Sequence, residues 1–307
     1  MVRTKVRGRA IKSLKRDKYL FLMLLPVLIY FIVFCYVPMF GTVMAFQDFS
    51  PGKGFLESPF VGFRWFREFF GSIYFERLMR NTILLNIYGL LWGFPIPIIF
   101  ALLLNEVRDG PFKRVSQTVA YLPHFISVVV VVGLIYNFLS PNDGIINLMI
   151  TRFGGQPINF MGEPKWFRTL YIGTGIWQNF GWDSIIYLAA LSSVDPQLYE
   201  AAKIDGAGKW RQLFNITLPA ISTTIIILLI MNVGNIMNVG FEKVILMYSP
   251  ATYETADVIS TYVYRRGIMG SQFSFGAAVG LFNSVINFML LIAVNRISRK
   301  VSEVSLW

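Results

Sequence analysis

The chain has 307 residues, 55% of them hydrophobic, 16% aromatic and only 15% charged, with a mean hydropathy of +0.55. Soluble domains carry about 45–50% apolar and about 25% charged residues, so the composition excludes a soluble globule and indicates an integral membrane protein. The net charge of +11 does not form a nucleic-acid patch, because the basic residues fall at the ends of apolar runs; one cysteine, Cys35, excludes an intrachain disulfide and a thiolate metal site.

Residues 1–19 carry Arg3, Lys5, Arg7, Arg9, Lys12, Lys15, Arg16 and Lys18 against Asp17 alone, as expected of a cytoplasmic segment facing anionic lipid headgroups. The apolar run that follows exceeds the roughly 7–15 residues of a signal-peptide core, so it reads as a retained first crossing. Six membrane helices are predicted, over 20–45, 81–105, 115–139, 168–191, 219–239 and 275–297, each reaching the about 20 residues a bilayer requires. The chain then divides into a basic N-terminus (1–19), a six-span domain (20–297) and a tail (298–307). Six crossings put both termini on one side. That side holds 17 of the 28 Lys/Arg, in the N-terminus, the 106–114 loop, the loop after the fourth span and the tail. The positive-inside rule makes it the cytoplasm, so a multi-pass chain with both termini inside is expected.

The outer loops are long. PFVGFRWFREFF (59–70) interleaves aromatic and basic residues, as an interfacial amphipathic helix or a solute-facing segment would. The 140–166 loop contains Gly144 and Asn147, and its Gly, Pro and Asn content suggests an exposed docking surface.

Polar side chains at membrane depth are costly and tend to face a cavity or another helix. In the fourth span Asn179, Asp183 and Tyr187 fall on one stripe, with Trp177, Gln178 and Trp182 beside it. Indole faces and hydrogen-bonding amides suit a sugar ring; the same groups also serve as interhelical glue. Asn232, Asn235 and Asn238 repeat every three residues along the fifth span, and Asn283 and Asn287 stand in the sixth. Gly276-x-x-x-Gly280 permits close helix packing. Pro95 and Pro97 are expected to break or kink the second span. His124, the single histidine, has no partners at metal-ligand spacing.

Residues 195–219, DPQLYEAAKIDGAGKWRQLFNITLP, are polar and basic between apolar runs. Asp195 and Pro196 open a helix; Asp205-Gly206 closes it, and a second helix is expected from Lys209 to just before Pro219. Glu200-Ala201-Ala202, Gly206, Ile216, Leu218 and Pro219 fill every fixed position of the spacing E-A-A-x3-G-x9-I-x-L-P. This pattern resembles the coupling loop of permease subunits of binding-protein-dependent ABC importers, closest to the sugar branch that takes complex oligosaccharides and polysaccharide fragments.

That resemblance implies an all-α membrane protein of the type I importer permease fold: six transmembrane helices and a cytoplasmic coupling-helix loop (192–219) between helices four and five. It implies that Glu200, Ala201, Ala202, Asp205, Gly206, Ile216, Leu218 and Pro219 engage an ATPase. The implied partners are a second homologous permease, two ATPase subunits, an extracytoplasmic solute-binding protein, an oligosaccharide and membrane lipid. No catalytic set is present. Gly206-Ala207-Gly208-Lys209 is no phosphate loop, because Lys203 stands where glycine is needed and Trp210 where Ser or Thr is needed. ATP and Mg2+ therefore belong to the partner ATPase, and this chain carries no cofactor and is no enzyme. The competing reading is an ion-coupled carrier with Asp183 and His124 as a proton relay; it leaves the 195–219 segment unexplained.

Overall fold

The computed structural model describes residues 17–302 and Ser305. The basic segment 1–16 and the last residues of the predicted tail lie outside the described residues. Among the described residues every regular element is helical, and the single extended pairing is an isolated bridge between Gln47 and Phe60. Helices are what apolar runs must form in hydrocarbon, where each backbone N–H and C=O has to be satisfied within its own segment.

The principal helices are α1 (Lys18–Phe46), α2 (Arg64–Phe70), α3 (Phe75–Glu106), the pair α4 (Pro111–Phe125) and α5 (Val128–Leu139), α6 (Ile145–Arg152), α7 (Pro164–Ser192), α8 (Pro196–Ile204), α9 (Lys209–Gly234), α10 (Phe241–Met247), α11 (Ile259–Val263) and α12 (Phe273–Ser302). By length and apolarity α1, α3, α9 and α12 can cross a membrane, and α4 with α5 adds a fifth crossing if the bent pair is one span. The remaining predicted span, 168–191, is the 29-residue α7. It has the length of a crossing, but its polar run from Gln178 to Asp183 keeps it out of the apolar set.

Three local expectations are corrected. The predicted straight crossing over 115–139 is broken at Ile126-Ser127, and its halves meet at 97°. Pro123 lies in the last turn of α4, and the Ser127 hydroxyl starts α5 by accepting from the Val130 N–H at 3.4 Å. Pro95 and Pro97 do not break α3; the irregularity beside them is the wide turn Gly89–Gly93, which leaves the helix continuous to Glu106. Nor does the helix after Gly208 end before Pro219. A second wide turn, Leu213–Thr217, lets it pass through the proline and continue to Gly234.

The core has three clusters. One joins Trp65 and Phe69 of α2, Leu78 of α3, Ile259 and Tyr262 of α11, and Phe275, Ala278 and Val279 of α12. The second gathers Leu85, Val131, Ile135, Phe167, Val244, Met247 and Val258. The third packs Ala101, Tyr187, Leu191 and Ile221. α3 contributes to all three and is the spine of the bundle. α1, by contrast, buries no side chain from Lys18 to Tyr36. A helix apolar on every side is stable only against lipid or another chain.

A fully buried carboxylate, Asp257, ties α3 to the segment between α10 and α12. Arg265 grips it through two bonds at 2.8 and 2.9 Å, Arg77 through one at 2.8 Å, and the Thr261 hydroxyl donates at 3.0 Å. Asn81, also buried, donates to the Glu254 and Asp257 carbonyls at 3.0 Å. In the 140–166 loop Asn147 is an internal staple. Its amide donates to the Leu139, Ser140 and Ile158 carbonyls, and its oxygen accepts from the Ile158 N–H at 2.7 Å.

Candidate functional site

Two places combine the predicted residues with a geometry that can act on something outside the chain. The first is the α8–α9 junction. The Asp195 carboxylate accepts from the Gln197 N–H at 2.9 Å and Pro196 takes the first helical position. At the other end Gly206 has φ +72°, the left-handed conformation that a side chain resists. It permits the closing bonds Gly206 N–H to Lys203 C=O at 3.1 Å and Ala207 N–H to Ala202 C=O at 2.8 Å. The turn is then fastened to α9: the Gln212 amide donates to the Ala207 carbonyl at 2.7 Å, and the Tyr199 and Thr217 hydroxyls share a bond at 3.0 Å. Lys209 pairs with Glu106 at 2.5 Å, placing the junction beside the end of α3.

What this rigid elbow presents is apolar. Leu198, Ile204, Trp210 and Phe214 are exposed, Ile204 by 87% and Trp210 by 74%. Glu200, Ala201, Asp205, Gly206 and Pro219 are exposed with them, while Ala202, Ile216 and Leu218 are half-buried. Sequence reasoning found the polar and glycine positions but not the four large apolar ones, whose signal was their presence in an otherwise basic loop.

The second place is a cavity of about 1110 Å³ along α7, bounded also by α3, α9 and α10. Of the predicted solute-facing residues, Gln178, Asn179, Trp182, Asp183, Tyr187 and Asn232 line it. Gln178 also donates to the Ile126 carbonyl at 2.8 Å, satisfying the break between α4 and α5. Asn179 donates to the Gly175 carbonyl at 3.0 Å, and its side-chain oxygen meets His124 Nδ1 at the same distance. The His124 ring lies flat on Trp182, with centroids 4.5 Å apart and planes 3° from parallel. Tyr187 is 3% exposed and packs mostly into the third core cluster.

The other predicted residues are not on this cavity. Trp177 is exposed elsewhere. α9 ends at Gly234, so Asn235 and Asn238 are not on the helical face expected of them. Their role is to hold α9 and α12 together. The Asn238 amide donates to Asn235 at 3.1 Å, Asn283 donates to Asn238 at 2.9 Å, and Asn287 accepts from the Met237 N–H at 3.0 Å. The expectation that Gly276 and Gly280 act as a pair is half met: Gly276 touches the backbone of Gly267, while Gly280 faces open space. Asn86, Tyr171, Glu242 and Lys243 also line the cavity; Glu242 and Lys243 belong to the charged 240–274 loop, where nothing local separates a cavity residue from a surface one.

Residues 93–303 match the family of binding-protein-dependent transport system inner membrane components. The chain belongs to that family. Membership in a binding-protein-dependent transport family does not favour the proton-coupled carrier through Asp183 and His124. Two relatives from Bacillus subtilis (strain 168) extend over nearly the whole permease chain. Protein LplB is 46% identical over 295 residues, covering 96% of this chain and 93% of its own length. The polygalacturonan/rhamnogalacturonan transport system permease protein YteP is 48% identical over 297 residues, covering 97% and 92%. Among solved structures, a chain in the crystal structure of a bacterial alginate ABC transporter in complex with alginate pentasaccharide-bound periplasmic protein matches with a TM-score of 0.89 and 44% identity, over 96% of this chain and 99% of that one. The chain is therefore a multi-pass membrane component of an ABC importer, a transport subunit and no enzyme.

Proposed function

We propose that this permease carries oligosaccharides, including acidic polysaccharide fragments, through the cavity beside α7, and that α8 is its coupling helix. The cavity joins an indole, a buried tyrosine and several amides, the groups that stack on sugar C–H faces and bond to hydroxyls. The alginate and polygalacturonan/rhamnogalacturonan relatives support an acidic polymer as source. Six crossings are counted if α4–α5 is one span and α7 another, with both termini and α8 in the cytoplasm.

The observation that carries the reading is the exposed apolar cluster on the α8–α9 elbow. Leu198 and Ile204 of that patch stand on α8, off the spanning helices, where an exposed apolar surface is ordinarily covered by a protein cleft; the cleft proposed is in an ATPase subunit. The assembly is this chain, a second homologous permease, two ATPases that bind ATP and Mg2+, and an extracytoplasmic binding protein that delivers the solute. Its test is ATP hydrolysis by the reconstituted complex. Binding protein loaded with an oligosaccharide should raise the rate severalfold over unloaded protein; a rate indifferent to every loaded binding protein would reject the reading.

A further inference from the structure

Among the described residues Lys243 is the single cation lining the α7 cavity, and it is 9% exposed. An ammonium offers three donors. One is used, to the Tyr171 carbonyl at 2.9 Å, and the charge lies 5.0 Å from the centre of the Tyr171 ring. No carboxylate among the described residues pairs with it; Glu242, on the same cavity, is exposed and makes no ion pair. Buried charges are ordinarily paired, because leaving water costs several kcal/mol that only a counter-charge offsets. Burial pushes the Lys243 ammonium down to about 8, the direction expected of a charge held without one.

The position suits an anion that comes and goes. Gly175 leaves room beside the ammonium, with the site of an absent Cβ 3.4 Å from Nζ. The cavity follows α7 from Tyr171 to Ala189, roughly 27 Å of helix. Lys243 stands at the Tyr171 end, remote from α8. The cavity's acid, Asp183, is exposed and stands eight residues beyond Gly175, about 12 Å further along, more than one screening length of about 8 Å in a water-filled path. The two charges therefore act on different parts of a long solute.

We infer that Lys243 is the carboxylate-recognising residue of the translocation path, the group that reads a uronate unit of an acidic oligosaccharide at the mouth remote from α8. The inference rests on the oligosaccharide-importer reading and adds the residue that distinguishes acidic from neutral solutes. Tyr171 holds the ammonium in place, and the carboxylate takes the free donors.

The test uses the reconstituted complex with its binding protein. Uptake of an oligogalacturonate and of its neutral methyl ester is measured for the wild type, Lys243→Met and Lys243→Arg. A charge-assisted hydrogen bond lost on truncation corresponds to about tenfold or more. Lys243→Met should lower kcat/KM for the acid by about that factor relative to the ester, and Lys243→Arg should keep most of it. Equal loss for both solutes would mark a packing role, and no loss for either would mark a spectator; both overturn the inference while leaving the importer intact. A wild-type complex that responds to no saccharide would overturn the importer reading and this inference with it.

Discussion

Gly181 and Asp257 each hold a junction that no neighbouring residue could replace. A Cβ on Gly181 would lie 2.1 Å from the Ala120 carbonyl oxygen, so α4 and α7 meet backbone to backbone there. Gly181→Val is expected to destabilise the folded chain by about 1–3 kcal/mol through overpacking, seen as a lower unfolding temperature of the purified complex. Asp257, at 0% exposure, is the shared counter-charge of Arg77 and Arg265. Removing one partner of a buried pair leaves the other charge stranded, at about 3–5 kcal/mol. Asp257→Ala should therefore reduce the amount of folded protein recovered, and unchanged recovery and unfolding temperature would contradict this account. Neither role was legible in the sequence, since a glycine in an apolar run and an acid in a long loop are both common. What makes them special is the residue brought opposite from far along the chain.

At the scale of elements, α8 combines an N-cap, a helix-opening proline and a left-handed glycine, three local signals that are read without tertiary information. That is why its bounds, Pro196–Ile204, matched expectation so closely. Gly206→Pro would force φ to about −65° where the chain needs +72°. Glu200→Lys would reverse a charge on the exposed face. Both variants should insert normally, yet lose solute-stimulated ATP hydrolysis by an order of magnitude or more. Normal stimulation in both would argue against coupling through α8. The elements that sequence misjudged are those where proline meets a wide turn. Pro95 predicts a break or kink and Pro219 a helix end, but both helices run on, with the wide turns Gly89–Gly93 and Leu213–Thr217 just ahead of the prolines. A wide turn depends on packing and leaves little local trace. Likewise the 97° bend between α4 and α5 is completed by Gln178 from another helix.

At the scale of the molecule, the apolar blocks and their basic flanks made the membrane class plain, and one spaced motif indicated the family. The solute path was less legible. Asparagines at helical spacing look alike whether they line a cavity, as Asn232 does, or lock two helices, as Asn238 and Asn283 do. The bundle links its two working regions mechanically. α8 is fastened to α9 by Tyr199–Thr217 and Gln212–Ala207, and α9 runs as one helix to the cavity wall at Asn232. On the proposed coupling through α8, a push on the elbow travels along α9 to the cavity wall. The most direct measurement is cross-linking of Ala201→Cys, in a Cys35→Ser background, to cysteines placed in the cleft of the partner ATPase. Rapid cross-linking is expected, with Ala201→Cys inaccessible to a membrane-impermeant thiol reagent added outside the cell. No cross-link to the ATPase, or labelling from outside, would contradict it.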